Sequence, residues 1–209
     1  MTLFDATIFL STFITLVVIL DPPGAVPIFL ALTASLSRQQ RNVAARRASL
    51  VALFVIALFA LFGQQILGYL HISIQALQGA GGLLLLLVAL ELLTGKESDA
   101  LADAGVNVAL VPLGTPLLAG PGAIVATMLA VQRAQGPGGY LAVAAALAAA
   151  MFLVFLALRF AGRVRAVLRE SGTMLLTRIF GLLLSAIAVQ MVADAVRAFV
   201  LADPVGGGS

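Results

Sequence analysis

Cysteine is absent from the 209-residue chain, and histidine occurs once. The first absence excludes disulfides, thiolate metal sites and cysteine nucleophiles, and a single histidine excludes a histidine-rich metal centre. Charge is also scarce. Lys and Arg number 12 and Asp and Glu 9, so 10% of residues are charged, against about 25% in an ordinary soluble domain. So few charged side chains cannot cover a water-exposed sphere of this size, which excludes a soluble fold. What is abundant is apolar: 62% of the residues are hydrophobic, in long runs, and the solvent they suit is a bilayer.

The formal charge of +3 does not point to nucleic acid, because the basic residues sit in short clusters between apolar runs. That is the pattern of topology signals, not of a phosphate-binding stripe. Met1 to Asp5 carry an acid and no base, and the apolar run that follows outlasts a signal-peptide core, so the N-terminus is expected to be mature. Residues 206–209, Gly-Gly-Gly-Ser, are expected to be a flexible tail or a cloning scar.

About 20 apolar residues cross a bilayer at 1.5 Å rise each. Six segments meet that length, near residues 6–35, 48–70, 75–94, 107–132, 140–161 and 173–201. The connections after spans one, three and five, with their flanks, hold ten Lys and Arg residues, and the opposite side only Arg133 and Arg197. Basic loops stay in the cytoplasm, so both termini are expected outside, in the periplasm or extracellular space.

The chain also aligns with itself. Pro23-Gly24-Ala25-Val26 falls on Pro121-Gly122-Ala123-Ile124 at an offset of 98, and Gly82-Leu83-Leu84-Leu85 on Gly181-Leu182-Leu183-Leu184 at 99. Each half holds three spans, an odd number, so the second half enters the membrane from the opposite side. The expected fold is all-α, with a first three-span repeat over 1–95, a cytoplasmic connector over 96–106 and an inverted repeat over 107–205.

Spans one and four are interrupted. Ile19-Leu20-Asp21-Pro22-Pro23-Gly24-Ala25-Val26-Pro27 cannot form a regular helix, since each proline lacks an N–H and clashes with the carbonyl four residues back. Asp21 suits a helix N-cap and Pro22 a first helical position; Gly120 and Pro121 offer the same pair in span four. Such breaks are tolerated at mid-membrane only when buried in protein or facing a wet cavity. Two helix N-termini aimed at one central point suit a carboxylate. The ionisable residues within the spans are Asp21, Glu91 and Asp194. Asp21 is deepest, and either caps a helix, faces a substrate ammonium or carries a coupling proton; Glu91 and Asp194 read as interfacial, with Glu91 the second coupling candidate. His71, Tyr69, Gln75 and Gln78 read as ordinary surface or interface residues.

Two motifs carry a resemblance. Asp21-Pro22-x-Gly24-x-x-Pro27-x-Phe29 with Thr33, and Pro116-Leu117-Leu118-Ala119-Gly120-Pro121-Gly122-Ala123-Ile124, resemble the paired signature of the MarC family, also described as small neutral amino acid transporters. Ala25 stands where that family usually has Asn, Pro23 where it has an aliphatic residue, and Gly114 and Thr115 where larger or apolar residues are common. The resemblance implies an inner-membrane carrier of glycine, alanine or serine that is proton-linked, works by alternating access and has export as one open direction. A substrate site would then be built from Asp21, Pro22, Pro23, Gly24, Ala25, Thr115, Ala119, Gly120, Pro121, Gly122 and Ala123. The expected partners are a small amino acid, a proton and the bilayer, with no cofactor, metal or nucleic acid and with an oligomer left open. The competing readings are an intramembrane enzyme acting on lipid or peptide, for which Asp21 lacks an evident second carboxylate, and a non-transporting scaffold.

Overall fold

The computed structural model describes residues 4–33, 36–94 and 119–202, and within them all regular structure is helical. The helices are α1 (Ala6–Leu20), α2 (Pro22–Leu32), α3 (Arg38–Tyr69), α4 (Ile74–Thr94), α5 (Pro121–Arg133), α6 (Gly136–Arg159) and α7 (Ala161–Ala202). Among the described residues, five helical stretches are long and apolar enough to cross a membrane: Ala6–Leu30, Arg38–Tyr69, Ile74–Thr94, Gly136–Arg159 and Ser171–Leu201. The fourth expected span is represented by α5 alone, which at 13 residues is too short to cross by itself. The rest of that span lies outside the described residues, as do the connector over 96–106 and the tail over 206–209.

Two helices run further than hydropathy indicates. α3 begins at Arg38 rather than near residue 48, because Ser37 and Gln40 form a reciprocal capping box that starts the helix before the apolar run does. The basic cluster Arg38, Arg41, Arg46 and Arg47 is therefore helix and not loop. α7 likewise begins at Ala161 instead of 173, and a non-helical residue, Arg169 (φ 54°, ψ −179°), kinks it before the apolar stretch from Ser171. α3 ends in a Schellman turn: Ile72 N–H donates to Leu67 O, His71 N–H to Gly68 O, and His71 takes the left-handed conformation (φ 56°). His71 is exposed there, as its loop position suggested.

Large apolar side chains on one side of most helices face outward, among them Phe54, Leu61, Leu87, Phe152 and Leu182. In water that surface would be an aggregation hazard; in lipid it is a fitted coat. Inside, one buried cluster joins Leu16, Leu20, Ala25 and Phe29 to Ala45, Ile56, Ala119, Ala123, Ala150 and Val154. A second joins Val18, Leu85, Ala89, Val125, Leu184 and Ala188. Alanine dominates the inner face of α6, where Ala142, Ala146 and Ala150 have no exposed surface, so neighbouring backbones approach closely.

The most extensive helix pair is α4 against α7, and it turns on two glycines. A Cβ at Gly82 would stand 2.8 Å from Val192 Cγ2, 2.9 Å from Ala188 O and 3.2 Å from Met191 Cβ. A Cβ at Gly181 would stand 3.0 Å from Leu92 Cβ, 3.2 Å from Leu93 Cγ and 3.3 Å from Ala89 O. Residues 188, 191 and 192 are the counterparts of 89, 92 and 93 at the 99-residue offset, so the contact has the same form from either side. Gln78 is also on α4 and is 9% exposed, which corrects its reading as an interface residue.

Replacing Gly82 or Gly181 by Leu should separate α4 from α7 and cost about 1–3 kcal/mol or more. Leu87→Ala on the outward face should be nearly silent. Thermal unfolding in detergent, followed by the fraction remaining monodisperse, checks this; equal effects at the three positions would contradict the packing described.

Candidate functional site

The break between α1 and α2 is organised around one residue. Asp21 adopts a left-handed conformation (φ 36°, ψ 68°), which aspartate tolerates better than most side chains. Its N–H closes α1 by donating to Val17 O (3.1 Å), and its carbonyl opens α2 by accepting from Ala25 N (2.9 Å). Its Oδ1 accepts from Gly24 N (3.2 Å). The expected N-cap is therefore present, with Pro22 and Pro23 as the first two helical residues. Gly24 is required by proximity: a Cβ there would overlap the Asp21 carboxylate.

The same bonds decide the electrostatics. Pro22 and Pro23 have no N–H, and the Gly24 N–H is taken by Asp21, so the first turn of α2 keeps no free amide for a ligand. Those prolines also leave the carbonyls of Val18 and Ile19, at the negative end of α1, without their usual donors. Asp21 is 6% exposed, and its Oδ2 has no hydrogen-bond partner among the described residues. The Thr177 hydroxyl of α7 stands beside it, 3.1 Å from where a Gly24 Cβ would lie. This break is thus electronegative. The expectation that both restarted helices receive a carboxylate is corrected here: α2 does not, because prolines and the cap have consumed its donors.

The second break differs. Gly120 is the N-cap of α5 (φ −62°, ψ 157°) and Pro121 its first residue, as expected. Gly120 has no side chain to cap with, and Ala123 N–H and Ile124 N–H donate to its carbonyl (3.1 and 3.3 Å). Gly122 N–H, in the first turn, has no intrahelical acceptor and no partner among the described residues. Here the positive end of a helix dipole remains open to an anion.

The two breaks adjoin. Ile19 Cγ2 lies 3.6 Å from the position of a Cβ on Gly122, and Ala25, Ala119 and Ala123 belong to one buried cluster. Gly122 is crowded by Leu85, whereas a Cβ on Gly120 would meet none of the described residues within 4 Å, so of the two only Gly120 has space beside it among the described residues. Pro22 is buried and Pro23 half-buried at the same break. Thr115 lies outside the described residues. Glu91 is exposed and is not gathered into this region. Thr177 went unnoticed in the sequence; its one signal was a polar residue, Gln78, at the matching offset in the other half.

Beyond Leu16, towards the start of α1, a cavity of about 400 Å³ opens between α1, α5 and α7. Ser11, Thr12 and Thr15 line it with Arg133, Gln190 and Asp194, and Gln190 Nε2 donates to Asp194 Oδ1 (2.8 Å). Asp194 is thus a hydrogen-bonded wall residue and not merely an interfacial one. Leu16 is five residues from Asp21, about 7.5 Å along the helix. Among the described residues no cluster of His, Asp or Glu could hold a metal.

The family model described as MarC family integral membrane protein matches residues 6–200. The chain belongs to the MarC family. It is 38% identical over 205 residues to a UPF0056 membrane protein of Methanocaldococcus jannaschii, covering 94% of this chain and all of that one. It is 33% identical to the UPF0056 membrane protein YvbG of Bacillus subtilis, covering 86% and 90% of the two chains. A third relative, from Aquifex aeolicus, is 32% identical over 91% of this chain and 92% of its own. No solved structure matches. This MarC chain is thus an integral membrane protein whose paired Pro-Gly motifs set the break between α1 and α2 beside the N-terminus of α5.

In this MarC protein, Asp21→Asn and Asp21→Ala both delete the charge, so their difference isolates the cap and the left-handed backbone. Asn serves both and Ala neither, which predicts that Asp21→Ala is less stable than Asp21→Asn by about 1–2 kcal/mol. Unfolding of the two purified variants in one detergent checks the ordering.

Proposed function

We propose that the protein is a secondary transporter of small neutral amino acids, an exchanger that binds its zwitterionic substrate between the two breaks. The observation that carries this reading is their opposite polarity. Asp21, with the carbonyl end of α1, suits an ammonium; the N-terminus of α5 suits a carboxylate. Ala25, Ala119 and Ala123 are buried around them, so a substrate held there would have to carry a small side chain such as that of glycine, alanine or serine.

One carboxylate facing the substrate ammonium also gives a coupling mechanism. A buried Asp21 is costly when ionised and unpaired, so it holds either the substrate ammonium or a proton, not both. Exchange of one for the other drives amino acid out as protons enter. The protein is accordingly a carrier and not an enzyme, set in the inner membrane with both termini outside, the side assigned by the ten-to-two distribution of basic residues.

Alternating access requires two related halves in unequal arrangements, and two features support that. The α4–α7 contact has matching residues on both sides at the 99-residue offset, as two inverted repeats over 1–95 and 107–205 would give. The broken helices are not so matched. Gly122 of α5 meets Leu85, whereas Gly24 of α2 meets Thr177, whose counterpart is Gln78. Seven residues separate Gln78 from Leu85, about 10 Å along a helix. An alternate state would exchange these registers while α4 and α7 stay together.

Proteoliposomes test the reading. Labelled alanine should exchange with unlabelled glycine, alanine and serine but not with tryptophan or lysine, and an imposed pH gradient should drive its accumulation. Gly120→Ala has room and an unstrained φ, so it should fold normally while transport falls several-fold. Asp21→Asn should fold and lose the response to the gradient. Absence of any exchange in the parent would sink the transporter reading; an unchanged pH response in Asp21→Asn would sink the coupling.

A further inference from the structure

At the end of the bundle opposite the Asp194 cavity lies a second pocket, of about 420 Å³, between the start of α3 and the junction of α6 with α7. Arg38, Arg41, Arg159 and Arg163 line it, together with Asn42 and Phe160, and among the described residues none of the lining is Asp or Glu. Four guanidinium groups around one pocket repel one another, and the geometry here does little to offset that. Arg159 and Arg163 both lie on Phe160, with their Cζ atoms 5.8 and 5.4 Å from the ring centroid. Arg41 donates one bond, from Nη2 to Thr33 O (3.2 Å), while its Nε is buried without a partner among the described residues.

The backbone contributes ends of both signs: α3 begins here at Arg38 and α7 at Ala161, while α6 ends here at Arg159, so two positive helix ends face one negative end. The aromatic ring holds two of the arginines as a preformed pair, and Arg41 is fixed by its bond to Thr33. Planar, fixed guanidinium forks match the oxygens of a phosphate, and Asn42 supplies a further donor.

We propose that this pocket is a binding site for a phosphate group, carried by an anionic lipid or by a free phosphate anion, separate from the substrate site. The lipid source is open to it because the pocket borders the first part of α7, residues 161–168, where Arg163, Arg165 and Val167 are all exposed ahead of the kink at Arg169. A short helix of that character lies along a membrane surface with its basic residues among the headgroups.

Thermal unfolding of the full chain in a neutral detergent, titrated separately with phosphatidylglycerol, phosphatidylcholine and inorganic phosphate, tests the site. Phosphatidylglycerol should raise the midpoint saturably and phosphatidylcholine should not; inorganic phosphate acting as well would identify a site for the free anion, and phosphatidylglycerol alone a headgroup site. In Arg41→Gln/Arg163→Gln the half-saturating concentration should rise about tenfold or more, since each charge-assisted bond contributes roughly tenfold. Arg133→Gln, at the other end, should leave it unchanged. If the double variant does not fold, Arg38→Gln/Arg159→Gln, at two exposed positions, serves in its place with the same expectation. No stabilisation of the parent by either phosphate source, or equal stabilisation of the parent and the arginine variants, overturns the proposal.

Discussion

A freed amide or carbonyl inside a bilayer finds no water to bond with, and the chain is arranged around that constraint. The two Pro-Gly breaks would each leave several backbone groups exposed to hydrocarbon. The protein instead wraps them: α6 and α7 flank α2, while α3 and α4 flank α5, and both breaks face a shared alanine-rich interior. Asp21 carries most of the local burden by closing one helix and opening the next with its own backbone and one carboxylate oxygen. The prolines remove the remaining donors rather than satisfying them. What is left over among the described residues, the Asp21 Oδ2 with the Val18 and Ile19 carbonyls on one side and the open N-terminus of α5 on the other, marks where chemistry outside the chain is invited.

Much of this was legible in the residues. Composition pointed to the bilayer, five of the six expected apolar segments correspond to long helices among the described residues, and Asp21-Pro22 and Gly120-Pro121 mark where α2 and α5 begin. The misreadings have physical causes. Hydropathy measures where lipid is, not where helix is, so α3 and α7 were begun late; their capped, arginine-bearing starts are helical outside the apolar zone. Treating both helix N-termini as carboxylate sites ignored that a proline pair and an aspartate cap leave no N–H to offer. Thr177 and Gln78 escaped because a lone polar residue in an apolar helix says nothing about which neighbour it meets.

The interior is also built unequally in a way that composition hides. α4 and α7 approach through glycine with the same partners on both sides, whereas α2 and α5 sit at different heights against them. A frame that matches and broken helices that do not are two separable parts of one bundle. Threonine hydroxyls inside α5 and just after α2 are spent on their own helices, Thr127 on Ala123 O and Thr33 on Phe29 O, so they do not tie α2 and α5 to α4 and α7.

The glycine contact between α4 and α7 has the form of an isologous interface, the kind that two identical subunits make when one patch recognises itself across a two-fold axis. Here the two matching patches lie in one chain, and residues 82 and 181 meet neighbours at corresponding positions. A change in either glycine therefore alters only one of two equivalent lesions' worth of packing, and a compensating change has an address that can be written down in advance: 188, 191 or 192 for the first, 89, 92 or 93 for the second.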